Sequence, residues 1–371
     1  MEKLDSNERY ARQIMLHEFG EDGQTKLKSA HVLVVGVGGL GCPVLQYLVA
    51  AGVGKITILD DDIVSLNNLH RQILFDESNI GELKVDVAKQ KLSLINSNVL
   101  ITAISKRLNP ALAAELFPTI DLVVDTSDNF ATRYLVNDAC VLLKKTLVFG
   151  AVSKFEGQVA VFNRQINDEN YSTNYRDLFP SPPAENILNC EEAGVLGVVP
   201  GVIGTIQAME AIKLITGIGE PLENKLLTYN ALRQQFYTIE LTPCNQPHSA
   251  PKTLDAFLTY DYPVYCQTKR NNPYKIDLHE IADKLSNAIL VDIREPHEKP
   301  KLNELITNPY FEIPLSELHE KMNSLKSHNV VFICKSGKRS ENAVGLLLSS
   351  GHSKEIFSIK GGVDALLNQH Q

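Results

Sequence analysis

A glycine-rich turn between an apolar run and a helix-length segment is the feature that most constrains this fold. The run His31–Val35 (HVLVV) is mostly β-branched and leads directly into the turn Gly36-Val37-Gly38-Gly39-Leu40-Gly41. Residues 43–51 then have the length and composition of a helix. A strand, a glycine turn and a helix in this order are typical of the start of a nucleotide-binding βαβ unit.

The acidic residue that ends the next strand supports a nucleotide site. The strand Lys55–Leu59 is followed by Asp60, whose carboxylate can accept the hydroxyl protons of a ribose. Glycines let the backbone approach a phosphate, and the N-terminus of the following helix offers free N–H groups and a positive dipole end. The turn therefore predicts a nucleotide, although it does not choose between NAD, FAD and ATP.

Further apolar runs extend the same pattern along the first half of the chain. Strands are expected at residues 99–104, 121–125 and 146–149, with helical segments between several of them. Strands that alternate with helices predict right-handed crossovers and a largely parallel sheet. With 44% hydrophobic and 22% charged residues, the composition is that of globular domains. We predict a Rossmann-like, doubly wound α/β domain.

The pattern is interrupted and then restarts, which predicts a second domain. Residues 163–189 are polar and rich in proline, and we interpret them as a long loop. A second irregular stretch is interpreted as a linker that partly packs on the first domain. New apolar runs at 289–293 and 330–334 then begin a small α/β domain. The predicted borders are 1–245 for the first domain, 246–273 for the linker and 274–371 for the second domain.

Charge, hydropathy and cysteine content limit the partners of the chain. Its 36 basic and 44 acidic residues give a net charge of -8, which argues against nucleic acid as a partner. The N-terminus lacks the apolar run of a secretory signal, and no uncharged stretch reaches the roughly 20 apolar residues that cross a bilayer. The nearest, 195–209, is rich in glycine and precedes a helix expected at about 204–216. Six sparse cysteines indicate a reducing compartment. We expect a cytoplasmic protein that binds no membrane.

Cations downstream of the glycine turn favour a triphosphate over a redox dinucleotide. Arg71 lies in the segment DDDIVSLNNLHRQ that begins at Asp60, and Lys84 follows it. Hydride transfer does not need such cations, whereas cleavage of a triphosphate needs positive charge beside the phosphates. Asp128, which follows the strand expected at 121–125, could hold Mg²⁺ there. These residues together predict ATP and Mg²⁺, with Asp128 as the metal ligand.

Six motifs of the first domain resemble the MoeB/ThiF family, the bacterial relatives of ubiquitin-activating enzymes. They are RYARQI from Arg9, the GVGGLG turn, DDDIVSLNNLHRQ from Asp60, TSDN from Thr126, NCEEAG from Asn189 and QAMEA from Gln207. The resemblance implies an enzyme that uses ATP and Mg²⁺ to adenylate the C-terminal glycine of a partner protein. That partner would be a small ubiquitin-like sulfur carrier that ends in Gly-Gly.

The same resemblance implies roles for individual residues. It implies a homodimer in which Arg12 reaches into the site of the partner subunit, and it makes Arg12, Arg71 and Lys84 catalytic residues. Together with the glycine turn, it gives a set of nucleotide-binding residues: Gly36, Gly38, Gly39, Gly41, Asp60, Asn67, Asn68, Arg71, Lys84, Asp128 and Asn129.

Two cysteines are candidates for sulfur chemistry. The resemblance implies that Cys190 forms a thioester or an acyl persulfide with the carrier, and the alternative is a small buried residue. Cys334 opens the segment CKSGKRS between an apolar strand and a helix. The N–H groups of such a loop, the helix N-terminus and the nearby cations favour a thiolate or a persulfide. The alternative for Cys334 is a buried residue at a strand end beside a basic surface.

The second domain resembles a single rhodanese module. The matching segments are VDIREPHE from Val291, Ile313-Pro314-Leu315, the cysteine loop and KGGV from Lys360. The resemblance implies that Cys334 takes sulfur from a donor such as a cysteine desulfurase or thiosulfate. The product would be a carrier thiocarboxylate for molybdopterin or thiamine biosynthesis. One alternative is activation of a ubiquitin-like protein for tRNA thiolation or protein conjugation, and another is a Rossmann oxidoreductase.

Zinc ligands that are usual in the MoeB/ThiF family are missing here. The family carries two Cys-x-x-Cys pairs, but the first position reads YSTN from Tyr171 and the second retains only Cys244. One cysteine cannot build a tetrahedral thiolate site. A makeshift set of Cys244, His248 and Cys266 is the alternative. We predict that structural zinc is absent.

Overall fold

Two units, Met1–Thr268 and Lys269–Gln371, make up the chain, and each contains its own sheet. The structure is a computed structural model. The residues that it describes are 6–168, 170–182, 194–244, 250–267, 274–277, 280, 287–306 and 308–369.

One mixed sheet runs through the first unit. Its strands are β1 (His31–Val35), β2 (Lys55–Leu59), β3 (Leu100–Ile104), β4 (Leu122–Asp125), β5 (Thr146–Ser153), β6 (Glu156–Phe162), β7 (Lys225–Asn230) and β8 (Gln235–Glu240). They are ordered β3-β2-β1-β4-β5-β6-β7-β8 in the described residues. The first five are parallel, and β6, β7 and β8 are added antiparallel. The strand order reverses between β1 and β4, which is where such sheets bind ligands.

Helices cover both faces of this sheet. They are α1 (Ser6–Ile14), α2 (Gly20–Ser29), α3 (Gly41–Ala51), α4 (Lys84–Ile95), α5 (Pro110–Leu116), α6 (Phe130–Leu142), α7 (Tyr175–Leu178), α8 (Val198–Thr216), α9 (Leu254–Leu258) and α10 (Tyr262–Gln267). Val32 and Val34 of β1 enter one core with α2, α3, α4 and α8. Leu33 and Val35 enter the other core with α5, α6, α9 and α10. Alternate side chains thus leave opposite faces, which explains why the run is apolar throughout.

Helix α8 begins at Val198, six residues before the start predicted from the sequence. The glycines of this region do not break the helix, because they allow close packing. A Cβ at Gly204 would lie 2.4 Å from the carbonyl oxygen of Leu40. At 19 residues, α8 is also long and apolar enough to cross a membrane, contrary to the expectation that no stretch is. It packs against α3, β5 and β6, and core helices share these properties.

A buried ion pair organises the short helix α7, which lies in the predicted loop 163–189. The guanidinium of Arg176 donates two hydrogen bonds to the carboxylate of Asp138, each of 2.7 Å. It also lies between the rings of Tyr134 and Tyr265, 4.7 Å and 4.9 Å from their centroids. These contacts come from distant parts of the chain, so the sequence around Tyr175 does not reveal the helix.

The described part of the predicted linker packs on the first unit. Phe257 of α9 and Tyr262 of α10 are buried in the core that contains α6. The hydroxyl of Tyr262 donates to Asp138 at 2.9 Å, and the guanidinium of Arg176 donates to the hydroxyl of Tyr265 at 2.8 Å. Residues 250–267 are therefore part of the first unit.

The second unit is a small parallel α/β structure. Its strands are β9 (Lys275–Ile276), β10 (Ile289–Asp292), β11 (Tyr310–Glu312), β12 (Val330–Ile333) and β13 (Ile356–Ile359), in the order β11-β10-β12-β13-β9. Its described helices include α11 (Leu318–Leu325), α12 (Lys338–Ser349) and α13 (Gly362–Gln369). Val330 and Phe332 enter one core, and Val331 and Ile333 enter the other. The predicted α/β fold class of both domains is confirmed.

We expect the second unit to lose stability in mild acid because of His352. Burial lowers the pKa of this histidine below its ordinary 6.5, and a hydrogen bond to the backbone of Glu355 opposes the shift. The folded state thus takes up the proton less readily than the unfolded state. Stability is present above about pH 6.5 and falls as the pH drops through and below this value.

The measurement is a urea titration of the full chain at pH 7.5 and 5.5. Hydrogen exchange of the amides in Val330–Ile333, corrected for intrinsic rates, reports the second unit. A His352→Leu variant should lose less stability between the two pH values than the wild type. His328→Leu, at an exposed histidine, should behave as the wild type. Equal pH dependence in all three proteins would contradict the prediction.

Candidate active site

A cavity of about 310 Å³ lies at the carboxyl ends of the parallel strands in the first unit. Its wall follows the strands in sheet order. Arg107 and Leu108 come after β3, residues 60–62 after β2, the glycine turn after β1, and residues 126–129 after β4. The cavity therefore occupies the point where the strand order reverses, the expected place for a nucleotide.

The glycine turn brings the backbone to the cavity without side chains in between. Gly36 has a φ of +97°, which favours glycine. A Cβ at Gly41 would lie 2.2 Å from the carbonyl oxygen of Gly36, whereas one at Gly38 would meet nothing closer than 3.8 Å. No side chain caps the N-terminus of α3, which starts at Gly41. This terminus can therefore bind an anion.

Asp60 both supports the turn and faces the cavity. Its carboxylate accepts hydrogen bonds from the N–H groups of Val37 at 2.7 Å and Asp62 at 2.8 Å. Burial raises the pKa of Asp60, while the charge of Lys84 and these two N–H groups oppose the shift. The carboxylate thus fixes the position of the glycine turn and has the chemistry to accept ribose hydroxyl protons.

Two predicted cations border the same turn. The buried ammonium of Lys84 forms a 2.8 Å ion pair with the exposed carboxylate of Asp62. Arg71 donates a 2.9 Å hydrogen bond to the carbonyl oxygen of Asn67. A Cβ at Gly39 would lie 3.3 Å from the Cγ of Arg71. These contacts hold both cations in the cavity wall, where they can neutralise phosphate oxygens.

Asp128 and Asn129 have different surroundings. Asn129 precedes α6 and accepts a 2.9 Å hydrogen bond from the N–H of Thr132, so it caps the helix. Asp128 is exposed and lines the cavity, and it makes no hydrogen bond or ion pair within the described residues. The carboxylate of Asp128 is therefore available to a metal ion.

Several polar residues of the wall were not expected from the sequence. Gln72 Oε1, Ser127 Oγ and Arg133 Nε are buried, and none has a hydrogen-bond partner in the part of the chain that the structure describes. Buried polar atoms are normally paired, so these atoms fit a polar ligand in the cavity. Arg107 also lines the wall. Gln72 stands inside a quoted motif, but no local signal distinguishes Arg107 or Arg133 from surface cations.

The second candidate site is the loop that follows β12. Cys334 is fully buried and accepts a 3.3 Å hydrogen bond from the N–H of Ser340. Helix α12 begins at Lys338, slightly before the start expected near Ser340. Gly337 has a φ of +89°, and a Cβ at Gly362 would lie 2.1 Å from the carbonyl oxygen of Cys334. The loop is therefore closely packed around the sulfur.

Charged side chains anchor this loop. Arg339 forms two hydrogen bonds with the carboxylate of Glu298, of 2.5 Å and 2.6 Å, and this pairing lowers the pKa of Glu298 to about 2. Arg294 pairs in a similar way with Asp292 at the end of β10. Two rigid cations thus fix the segment around the loop, and Glu298 stays ionised at neutral pH.

Comparison with known families accounts for both sites. Residues 10–250 match the ThiF family, and residues 277–369 match the rhodanese-like domain. The chain belongs to the ThiF family. It carries a rhodanese-like domain after the ThiF domain, as its motifs predicted.

Curated relatives have this pair of activities in their names. "Adenylyltransferase and sulfurtransferase MOCS3-1" of Zea mays is 37% identical over 96% of this chain and 80% of its own length. "Probable adenylyltransferase/sulfurtransferase MoeZ" of Mycobacterium tuberculosis is 38% identical over 98% and 93%. "Sulfur carrier protein adenylyltransferase" of Thermus thermophilus is 51% identical over 63% and 86%. The ThiF protein is thus a nucleotidyltransferase with a sulfurtransferase domain, and its family implies that ATP binds.

Solved structures agree on the fold. The structure of E. coli MccB with MccA-N7isoASN has a TM-score of 0.57 and 24% identity, over 65% of this chain and 74% of the other. The structure of E. coli MccB with ATP has a TM-score of 0.55 and 24% identity, over 66% and 74%. At this identity the likeness shows a common fold.

The structure brings most of the predicted nucleotide residues of the ThiF protein to the cavity, but not all of them. Asn67 and Asn68 are joined by a 3.1 Å hydrogen bond beside Arg71 and do not line the described wall. Arg12 is exposed on α1, away from that wall. Cys190 lies outside the described residues. The wall contains Gly36, Gly38, Gly39, Asp60, Arg71, Lys84, Asp128 and Asn129, and Gly41 packs beneath it.

The segments expected to lack zinc ligands are joined by hydrogen bonds. The N–H of Cys244 donates to Asp177 at 2.8 Å, and the N–H of Thr173 donates to Asn224 at 2.8 Å. Cys244 and Cys266 are free thiols, and His248 lies outside the described residues. The absence of zinc stays a prediction.

We expect Gly41→Ala to destabilise the first unit by about 1–3 kcal/mol, because its Cβ would collide with the turn. Gly38→Ala, in the same turn but with free space, should stay within about 0.5 kcal/mol of the wild type. Urea titration with hydrogen exchange of residues 31–59 measures both variants. A Gly41→Ala protein as stable as Gly38→Ala would contradict the close approach.

Proposed function

We propose that this ThiF protein adenylates the C-terminal glycine of a ubiquitin-like sulfur-carrier protein and then exchanges the adenylate for sulfur. The carrier would end in Gly-Gly, and its product would be a thiocarboxylate used for molybdopterin or thiamine biosynthesis. The main support is the wall of the cavity, where an anion-binding glycine turn meets fixed cations and a free carboxylate. Cys334, in a loop of the second unit, supplies the matching sulfur chemistry.

The first step is an in-line displacement at phosphorus. A carboxylate oxygen of the carrier attacks the α-phosphorus of ATP, and pyrophosphate leaves. Such transfers need positioning and charge stabilisation rather than covalent help. Arg71 and Lys84 would neutralise the phosphate oxygens. Asp128 would hold Mg²⁺, which stabilises negative charge on the phosphates when it is bound.

A second copy of the chain would complete this site. Arg12 is exposed on α1 and does not line the described wall of its own cavity. In a homodimer it would enter the cavity of the partner and add a cation. This arrangement is the reason to expect a dimer as the active form in the cytoplasm.

The second step moves sulfur to the carrier. A donor such as thiosulfate or a cysteine desulfurase places a sulfur atom on Cys334 as a persulfide. The terminal sulfur attacks the acyl carbon, AMP leaves, and a second thiol cleaves the resulting acyl disulfide to release the thiocarboxylate. Cys190 would carry the acyl group between the steps and so shield it from water.

Loss of Asp128 should abolish adenylation. In Asp128→Ala we expect carrier-dependent exchange of labelled pyrophosphate into ATP to fall by at least about 100-fold, because the proposed metal ligand is gone. Asp86→Ala removes an exposed carboxylate on α4 and should exchange normally. Near-normal exchange in Asp128→Ala would reject the assignment.

Loss of the Cys334 thiol should stop sulfur transfer without stopping adenylation. With thiosulfate as the only donor, Cys334→Ser should form no carrier thiocarboxylate by mass spectrometry, while pyrophosphate exchange continues. Cys244→Ser removes a free thiol of the first unit and should form the product. Undiminished product from Cys334→Ser would refute the persulfide step.

A further inference from the structure

Arg107 is a cation of the cavity wall to which neither the motifs nor the proposed reaction gives a role. It lies in the connection between β3 and α5, next to the buried Leu108. Its side chain is exposed, lines the cavity, and has no hydrogen-bond or ion-pair partner among the residues described. A free guanidinium in the wall of a binding cavity can contact the ligand directly.

The order of the strands shows which end of the nucleotide Arg107 meets. Phosphates bind at the glycine turn after β1, and the acidic residue after β2 accepts the ribose hydroxyl protons. The base extends from the ribose away from the phosphates. The next strand in that direction is β3, whose connection contains Arg107 and Leu108.

Distance separates Arg107 from the phosphate-binding cations. Strands β3 and β1 lie two positions apart, or about 10 Å at the usual strand spacing. Arg71 packs beside Gly39, at the turn itself, while Arg133 donates to the carbonyl of Ser127 after β4. The cations for the phosphates are thus on one side of Asp60, and Arg107 is on the other.

The chemistry of this end of the cavity suits a flat, apolar ring. Leu59 and Leu108 are buried and contribute apolar surface to the wall. An arginine guanidinium is planar and stacks on aromatic faces, which a lysine ammonium does less well. The apolar wall and the guanidinium could therefore bind the two faces of a purine.

We propose that Arg107 is a specificity-determining residue that stacks its guanidinium on the base of the bound nucleotide. The larger purine ring gives more stacking area than a pyrimidine, so Arg107 favours ATP over CTP. This proposal deepens the proposed adenylation function and rests on it.

The experiment is calorimetric titration of the full chain with ATP and with CTP, both with Mg²⁺. Arg107→Ala should weaken ATP binding by about 3- to 30-fold, the range expected for a cation–π contact, and CTP binding by less. Arg107→Tyr should keep most of the preference for ATP, because a tyrosine ring also stacks on bases. Lys106→Ala, at the exposed neighbour that does not line the described wall, should bind both nucleotides as the wild type does.

Three results would overturn the proposal. Equal weakening of ATP and CTP in Arg107→Ala would make Arg107 a phosphate ligand. Unchanged binding would remove it from the site. An Arg107→Tyr variant as weak as Arg107→Ala would mean that charge, not stacking, is what matters. If the wild type did not bind ATP, the adenylation function would fail as well, so the two failures are distinguishable.

Discussion

The close approach of Gly36 and Gly41 is the constraint on which the nucleotide site depends. No side chain fits between the start of α3 and the end of β1, so the helix N-terminus lies directly at the edge of the sheet. Asp60 fixes the turn from the next strand through the N–H of Val37. Every other group of the wall is arranged around this turn, because the strands on either side supply Asp62, Lys84 and Asp128 to the same cavity.

Local signals explain what the sequence predicted well. The run His31–Val35 is apolar because both of its faces are buried, and the glycines follow at the point where the backbone must bend. These features fall within about 20 residues of one another, as does Asp60, so they can be recognised without knowledge of the fold. The same holds for Cys334, whose loop and helix are contiguous in the chain.

The features that the sequence missed depend on contacts between distant residues. The glycine Gly204 suggests a helix start, yet it lies within α8 because the carbonyl of Leu40 packs against it. Arg133 and Arg107 resemble ordinary surface cations, and only the strand order brings them to the cavity. Helix α7 is four residues long and depends on Asp138, a residue of α6. In each case the deciding partner lies tens of residues away.

The network around Arg176 also decides where the first unit can be cut. Tyr262 and Tyr265, which follow the change of composition near residue 245, satisfy Asp138 and Arg176 in the core. Removing one partner of a buried charge commonly costs about 3–5 kcal/mol, and loss of these two hydroxyls would leave part of the pair without hydrogen bonds. A fragment that stops at the apparent border would therefore carry a solvent-opened charge pair and fold poorly, whereas one that extends through Gln267 keeps its own seal.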